Sequence, residues 1–77
     1  MVPPMRIRNQ VGDRIARARK AAGLSQKDAA KKARVSRQAW SAYERGAQPL
    51  AASLGRIARA LGVSADALLG LVPSSEG

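Results

Sequence analysis

Two short helices are predicted in residues 23–49, which read GLSQKDAAKKARVSRQAWSAYERGAQP. The hydroxyl of Ser25 can cap the first helix, and Asp28 stands three residues later, at the spacing of a capping box. The alanine-rich run that follows propagates a helix well, because alanine has the highest helix propensity. The sequence therefore predicts a helix over residues 26–33.

The second helix of this pair starts after a connection of only a few residues. Ser36 can cap it, Gly46 can end it, and Pro49 prevents it from continuing. These signals predict a helix over residues 37–45. Two short helices joined by a short turn in a basic chain favour a helix-turn-helix unit.

Three further helices are predicted on either side of this pair. Apolar residues recur on one helix face over residues 9–22, and a second apolar stripe precedes Gly62. Ser64 can cap a last helix, with Asp66 in its first turn, where a negative charge suits the helix dipole. The three stripes consist of Val11, Ile15, Ala18 and Ala22, then Leu54, Ile57, Ala58 and Leu61, then Leu68, Leu69, Leu71 and Val72. No segment alternates with the period of a strand, so the predicted fold is all-α with five short helices.

The length of 77 residues fits one domain with a modest core. We expect that domain over residues 9–72, between a flexible basic arm (residues 1–8) and a flexible tail (residues 73–77). Pro3 and Pro4 disfavour a helix in the arm. The apolar runs are far shorter than the roughly 20 residues of a membrane span, and the apolar stretch of a signal peptide is missing. These features predict a cytoplasmic protein.

Cysteine and histidine are both absent from the sequence. Their absence excludes disulfides and thiol chemistry and removes the usual metal ligand and the usual general base. The carboxylates are scattered along the chain rather than paired for acid–base chemistry. They are Asp13, Asp28, Glu44, Asp66 and Glu76. We therefore expect no enzyme activity, no metal and no cofactor.

The charge of the chain is strongly asymmetric around a net value of +9. Residues 1–59 hold all 14 basic residues and three of the acidic ones, a net +11, whereas residues 60–77 hold only two acids, a net −2. Such a basic body indicates a polyanionic partner, with nucleic acid as the first candidate and an anionic membrane as the second. A membrane binder would need a long helix with one basic face, and glycine and proline interrupt these helices too often.

Several short motifs together resemble the DNA-binding domain of phage repressors and Cro proteins, the XRE class, over residues 11–70. The motifs are GLSQ at 23–26, the alanine pair at 29–30, VSRQ at 35–38, YERG at 43–46 and LGVSADALL at 61–69. The resemblance implies a lambda-repressor-like fold whose second and third helices form the helix-turn-helix motif. It also implies that the second helix lies across the DNA groove while the third points its first residues at base edges.

The same resemblance implies roles for individual residues. Arg37 and Gln38 match the base-reading positions, where Arg can pair with guanine and Gln with adenine. Gln26 matches a phosphate contact at the start of the second helix, and Ser41 and Ala42 face the groove one turn after Arg37 and Gln38. Further backbone contacts are expected from Ser36, Arg45, Gln48 and Lys27, the last as part of a basic cluster with Lys31, Lys32 and Arg34.

Charged and aromatic side chains around the third helix have structural interpretations as well. Arg19 and Glu44 match an ion pair of the family that ties the first helix to the third and points the guanidinium at a phosphate. The alternative is two unrelated surface charges, which would contribute at most about 1 kcal/mol. Trp40 and Tyr43 could stack on single-stranded nucleic acid, but we expect them in the core, on the side of the helix opposite Arg37.

The predicted function is that of a sequence-specific regulator of transcription that binds double-stranded DNA in the major groove. One helix reads only a few base pairs, so a homodimer on half-sites about 34 Å apart is expected, acting as a repressor on an inverted repeat. The apolar residues of the last helix, Leu68, Leu69, Leu71 and Val72, could form the dimer surface, or all of them could pack on the other helices. The alternative function is an antitoxin-type or other protein-binding module with the same fold.

Overall fold

The computed structural model describes the backbone of residues 5–70 and the side chains of residues 11–70. Five α-helices follow one another, and the described residues contain no strand, so the predicted all-α class is confirmed. The helices are α1 (Met5–Ala21), α2 (Gln26–Ala33), α3 (Arg37–Glu44), α4 (Ala51–Leu61) and α5 (Ala65–Leu69).

Helix α1 begins four residues earlier than the sequence pattern predicts. Residues 5–8 are helical, so the prediction of a flexible arm over residues 1–8 is wrong for its second half. The physical reason is that both prolines precede Met5, and proline does not stop a helix that starts after it. The remaining arm, residues 1–4, and the predicted tail, residues 73–77, lie outside the described residues.

Serine hydroxyls cap three of the helices as their positions in the sequence predict. Ser25 Oγ accepts a hydrogen bond from the backbone N–H of Asp28 at 3.0 Å. The hydroxyls of Ser36 and Ser64 each accept the equivalent bond, also at 3.0 Å, from the backbone N–H of the residue three positions later. Leu50 stands at the corresponding position before α4 and provides no side-chain hydrogen bond. The start of α4 is thus fixed by packing rather than by a cap.

Helix α2 lies between α3 and α4, while α1 packs against α3, α4 and α5. The core between them contains Ile15, Ala29, Ala30, Ala33, Trp40, Leu54, Ile57, Ala58, Ala60, Leu61 and Leu68. Leu68 is buried there, so it cannot belong to a dimer surface as predicted. The reason is that α5 has only five residues and turns Leu68 inward; Leu71 and Val72 lie outside the described residues.

Trp40 is fully buried, which confirms that it is a core residue. Ala29 and Ala30 of α2, the helix that packs against α3, are buried in the same core cluster, which thus combines one large ring with small side chains. Helix α1 approaches the end of α3 closely at Gly12, where a Cβ atom would lie 2.6 Å from the carbonyl oxygen of Tyr43. Only glycine permits this approach, because the atom in the way belongs to the backbone.

The carboxylate of Glu44, at the end of α3, joins three helices. Arg19 of α1 donates from Nε to Oε2 at 2.6 Å and from Nη2 to Oε1 at 3.3 Å. Gln26 of α2 donates to Oε1 at 2.8 Å, and the indole N–H of Trp40 donates to Oε2 at 2.6 Å. The expected ion pair is confirmed, and its side chains are only 12% and 9% exposed. It is therefore a partly buried tie rather than a surface pair.

Two opposing effects set the pKa of Glu44. Burial raises the pKa of this carboxyl, because it disfavours the charged form. Hydrogen bonds from Arg19, Gln26 and Trp40, together with the positive charge of Arg19, outweigh burial, and the net pKa is lowered. Glu44 is therefore ionised at neutral pH and fixes α3 against α1 and α2.

Truncation of Trp40 to alanine should destabilise the domain by about 3–5 kcal/mol, because it opens a cavity in a small core. It also removes one donor from the buried carboxylate. Urea denaturation followed by circular dichroism measures the loss. Trp40→Phe is the matched control, since it keeps most of the ring and loses only the indole N–H, and it should cost less. A Trp40→Ala protein that melts within a few degrees of the wild type would contradict this prediction.

Replacement of Glu44 by glutamine should lower the free energy of unfolding at pH 7 by about 2 kcal/mol, because charge-assisted hydrogen bonds are lost. The pKa of Glu44 is lower in the folded protein than in the unfolded chain. The carboxylate therefore stabilises the native protein fully at a pH above the pKa of the unfolded chain, and this stabilisation is lost as the pH falls through the pKa of the folded protein. The difference between Glu44→Gln and the wild type should therefore shrink on acidification to pH 3. Denaturation at the two pH values tests this, with the exposed Asp13→Asn as control; a difference that is constant with pH would refute the assignment.

Candidate nucleic-acid interface

The first turn of α3 carries its most exposed polar side chains. Ser36, Arg37 and Gln38 are all exposed, while Trp40, one turn after Arg37, is buried. Arg37 and Trp40 lie about 60° apart around the helix axis, so their different burial follows from their positions along α3 rather than from opposite faces. The start of α3 is thus exposed, and Trp40 anchors the helix in the core.

A shallow depression of about 250 Å³ lies between the starts of α2 and α3. It is lined by Gln26 from α2 and by Arg37, Gln38 and Ser41 from α3. Four of the residues singled out in the sequence therefore meet at one place. Their side chains offer a guanidinium, two amides and a hydroxyl, which are hydrogen-bonding groups suited to base edges and phosphates, and no carboxylate lines the depression.

The amide of Gln26 is oriented by its contact with Glu44. Because a carboxylate only accepts hydrogen bonds, the Nε2 group of Gln26 faces Glu44, at 2.8 Å. One amide hydrogen and Oε1 remain for a ligand. Arg19 is more fully engaged, since Nη1 also donates to the carbonyl oxygen of Leu24 at 2.9 Å. Arg19 thus has a structural role first, and its contact with a phosphate stays a prediction.

The remaining predicted contact residues differ in exposure. Lys27, Arg45 and Gln48 are exposed, and Ala42 is half-buried. Arg45 follows the last residue of α3, and its Nη1 donates to Ser41 Oγ at 2.9 Å, so the two side chains lie together along α3. Gln48 lies in the loop between α3 and α4, away from the four residues of the depression.

The exposed charge around α2 and α3 is mainly positive. Six basic side chains of this region are exposed against the single exposed carboxylate of Asp28: Lys27, Lys31, Lys32, Arg34, Arg37 and Arg45. Residues 11–70 hold no group of three acidic side chains that could bind a metal ion. Within the same part of the chain, no helix is both long and apolar enough to cross a bilayer. The electrostatics of this face suit a polyanion.

One residue that supports the interface has no signal in the sequence. Arg56 of α4 donates from Nε to the carbonyl oxygen of Ala33 at 3.0 Å, and its Nη2 lies 3.4 Å from Ser53 Oγ. It satisfies a carbonyl at the end of α2 and so holds the turn that leads into α3. The two residues are 23 positions apart, and only the packing of α4 on α2 brings them together.

Comparison with known proteins identifies the family. Residues 15–68 match the helix-turn-helix family HTH_3. One chain of a solved "SinR protein/SinI protein complex" is similar in structure, with a TM-score of 0.74 and 30% sequence identity. The similarity covers 86% of this chain and 70% of that one. The search of curated proteins gives no match.

The family match spans more than half of the chain and includes both helices of the motif and the depression between them. The similar solved structure agrees with the observed arrangement of five helices. The chain belongs to the XRE class of helix-turn-helix proteins and is a DNA-binding transcriptional regulator.

Proposed function

We propose that this regulator is a sequence-specific repressor that binds an inverted repeat as a homodimer, with α3 in the major groove. The observation that carries the proposal is the depression lined by Gln26, Arg37, Gln38 and Ser41. It brings Arg37 and Gln38, two residue types that discriminate bases, next to Gln26 at the start of α2. That combination supports base reading by one helix and backbone anchoring by the other.

Arg37 and Gln38 are proposed to read bases. A guanidinium can donate two hydrogen bonds to O6 and N7 of guanine, and an amide can pair with N6 and N7 of adenine. Both side chains are exposed, and the buried Trp40 and Glu44 fix the helix that carries them. A rigid helix supports specificity, because the side chains reach the bases from one defined position.

Phosphate contacts are proposed for the residues around this centre. Gln26 lies at the first position of α2, where the helix dipole favours an anion, and its amide retains one free hydrogen. Lys27 and Arg45 are exposed cations, the first adjacent to Gln26 in the sequence and the second one turn after Ser41. Ser36 and Gln48 complete the proposed set with neutral polar groups, while Ser41 and Ala42 leave room beside the bases.

A homodimer is proposed because one α3 reads too few base pairs for selectivity. Leu69 of α5 is 42% exposed, which supports α5 as part of the contact between copies. Leu71 and Val72 belong to the same proposal and lie outside the described residues. A dimer that covers two successive half-sites would exclude polymerase from that DNA, and this favours repression as the regulatory outcome.

A protein-binding role is the second candidate function. Leu50 is 78% exposed at the start of α4, where it offers an apolar side chain to a partner. The similar solved structure is a complex of two proteins, SinR and SinI. These two observations support a protein partner for this chain, either in place of an operator or in addition to one.

Selection of bound fragments from random duplex DNA should enrich an inverted repeat for the wild-type protein. The double variant Arg37→Ala/Gln38→Ala should lose this enrichment while it keeps weak, salt-sensitive binding to any duplex, because only the base contacts are removed. Arg59→Ala is the charge-matched control, since Arg59 is exposed on α4 and outside the depression. Equal enrichment by the double variant, or none by the wild type, would speak against the proposal and for the protein-binding role.

Replacement of Leu69 by lysine should shift the protein from dimer to monomer, because a charge would be buried in the contact between copies. Sedimentation equilibrium measures the change, and binding to the selected repeat should weaken far more than binding to one half-site. Leu50→Lys is the matched control, as it adds the same charge at another exposed leucine. If Leu69→Lys and the wild type sediment as the same species, α5 does not form the dimer surface.

A further inference from the structure

Four helices of this protein end in the same way. In each, the backbone N–H of the residue that follows a positive-φ residue donates to the carbonyl oxygen five positions earlier, at 2.9–3.1 Å. Such an ending requires a residue with positive φ. That residue is glycine at the ends of α1, α3 and α4, but at the end of α2 it is Arg34, with φ of 61°.

Arg34 is the one non-glycine residue with positive φ among the described residues. A side chain is disfavoured in this conformation, because its Cβ crowds the backbone, whereas glycine is not. The fold itself gives no reason for arginine at this position. Its side chain is exposed, and within residues 11–70 it makes no hydrogen bond and no ion pair. The contacts within residues 11–70 therefore do not explain why a side chain stands at this position, and a contact outside this chain would explain it.

The location of Arg34 indicates what that partner is. It occupies the turn between α2 and α3, two residues before the cap Ser36 and three before Arg37. Lys31, one turn earlier on α2, is exposed as well, so the approach to the start of α3 is positively charged. An exposed guanidinium beside a helix that enters the groove is suited to a backbone phosphate.

We infer that Arg34 binds a DNA phosphate next to the start of α3, and that this contact is the reason for a strained arginine in the turn. The inference rests on the proposed docking of α3 in the major groove. Arg34 positions the protein on the duplex without reading its sequence. Its replacement by glycine should therefore have opposite effects on stability and on binding.

Arg34→Gly should raise the midpoint of thermal unfolding by several degrees. It should also weaken binding to DNA, by the same factor for every duplex sequence. The slope of log K against log salt should fall by about 0.9, the value for one phosphate contact. Arg34→Lys keeps the charge and should bind nearly as the wild type does. Arg59→Ala removes the same charge from α4 and should leave the slope unchanged.

The inference is overturned if Arg34→Gly binds with unchanged affinity and slope, or if its melting temperature does not rise. It is also overturned if the variant changes the preference at one base pair, since Arg34 would then read a base. The comparison can be made on an arbitrary duplex. Failure of the wild type to select an operator would therefore contradict the proposed function alone, and the salt slopes would still decide the role of Arg34.

Discussion

The partly buried carboxylate of Glu44 is the interaction on which the geometry of this domain depends. It accepts hydrogen bonds from α1, α2 and α3 at the same time, through Arg19, Gln26 and Trp40. A charge in this environment is stable only when its hydrogen bonds are satisfied, because burial alone disfavours it. The requirement fixes the end of α3 relative to the start of α2. The two elements that line the interface are thereby held in one arrangement.

Helix α3 is short and carries both buried and exposed side chains. Trp40 supplies a large ring to the core and Glu44 a partly buried carboxylate, while Arg37 and Gln38 in the first turn are exposed. Gly12 permits α1 to approach the last turn of α3 so closely that a side chain there would meet backbone. Substitution of the exposed Arg37 and Gln38 should leave the fold intact, because neither side chain lies in the core.

Positions that are poor for stability are found at the surface rather than in the core. Arg34 adopts a conformation that suits glycine, and Leu50 leaves the start of α4 without a side-chain cap and is itself largely exposed. The core, by contrast, leaves no buried side-chain polar atom unpaired among the described residues. Local conflicts of this kind are expected where a surface serves a partner, because selection there acts on binding as well as on stability.

The sequence by itself determined the helices and most of their boundaries. Serine caps, glycine ends and apolar spacing are local signals, and they act within one or two turns of the residues that carry them. The motifs of residues 23–49, together with LGVSADALL at 61–69, also indicated the family. The start of α1 was misjudged, because two prolines were interpreted as breaking a helix that begins only after them.

Only the tertiary structure decided which of these residues meet. The hydrogen bond from Gln26 to Glu44, the contact of Arg56 with the end of α2 and the close approach at Gly12 have no local signal. Each depends on how helices pack across gaps of 18 to 31 positions, the largest being that from Gly12 to Tyr43. The same is true of Leu68, whose burial depends on how α5 packs against α1 and α4 rather than on its place in a leucine-rich run. The physical reason is that packing depends on how two surfaces fit each other, and the sequence of one helix specifies only the surface of that helix.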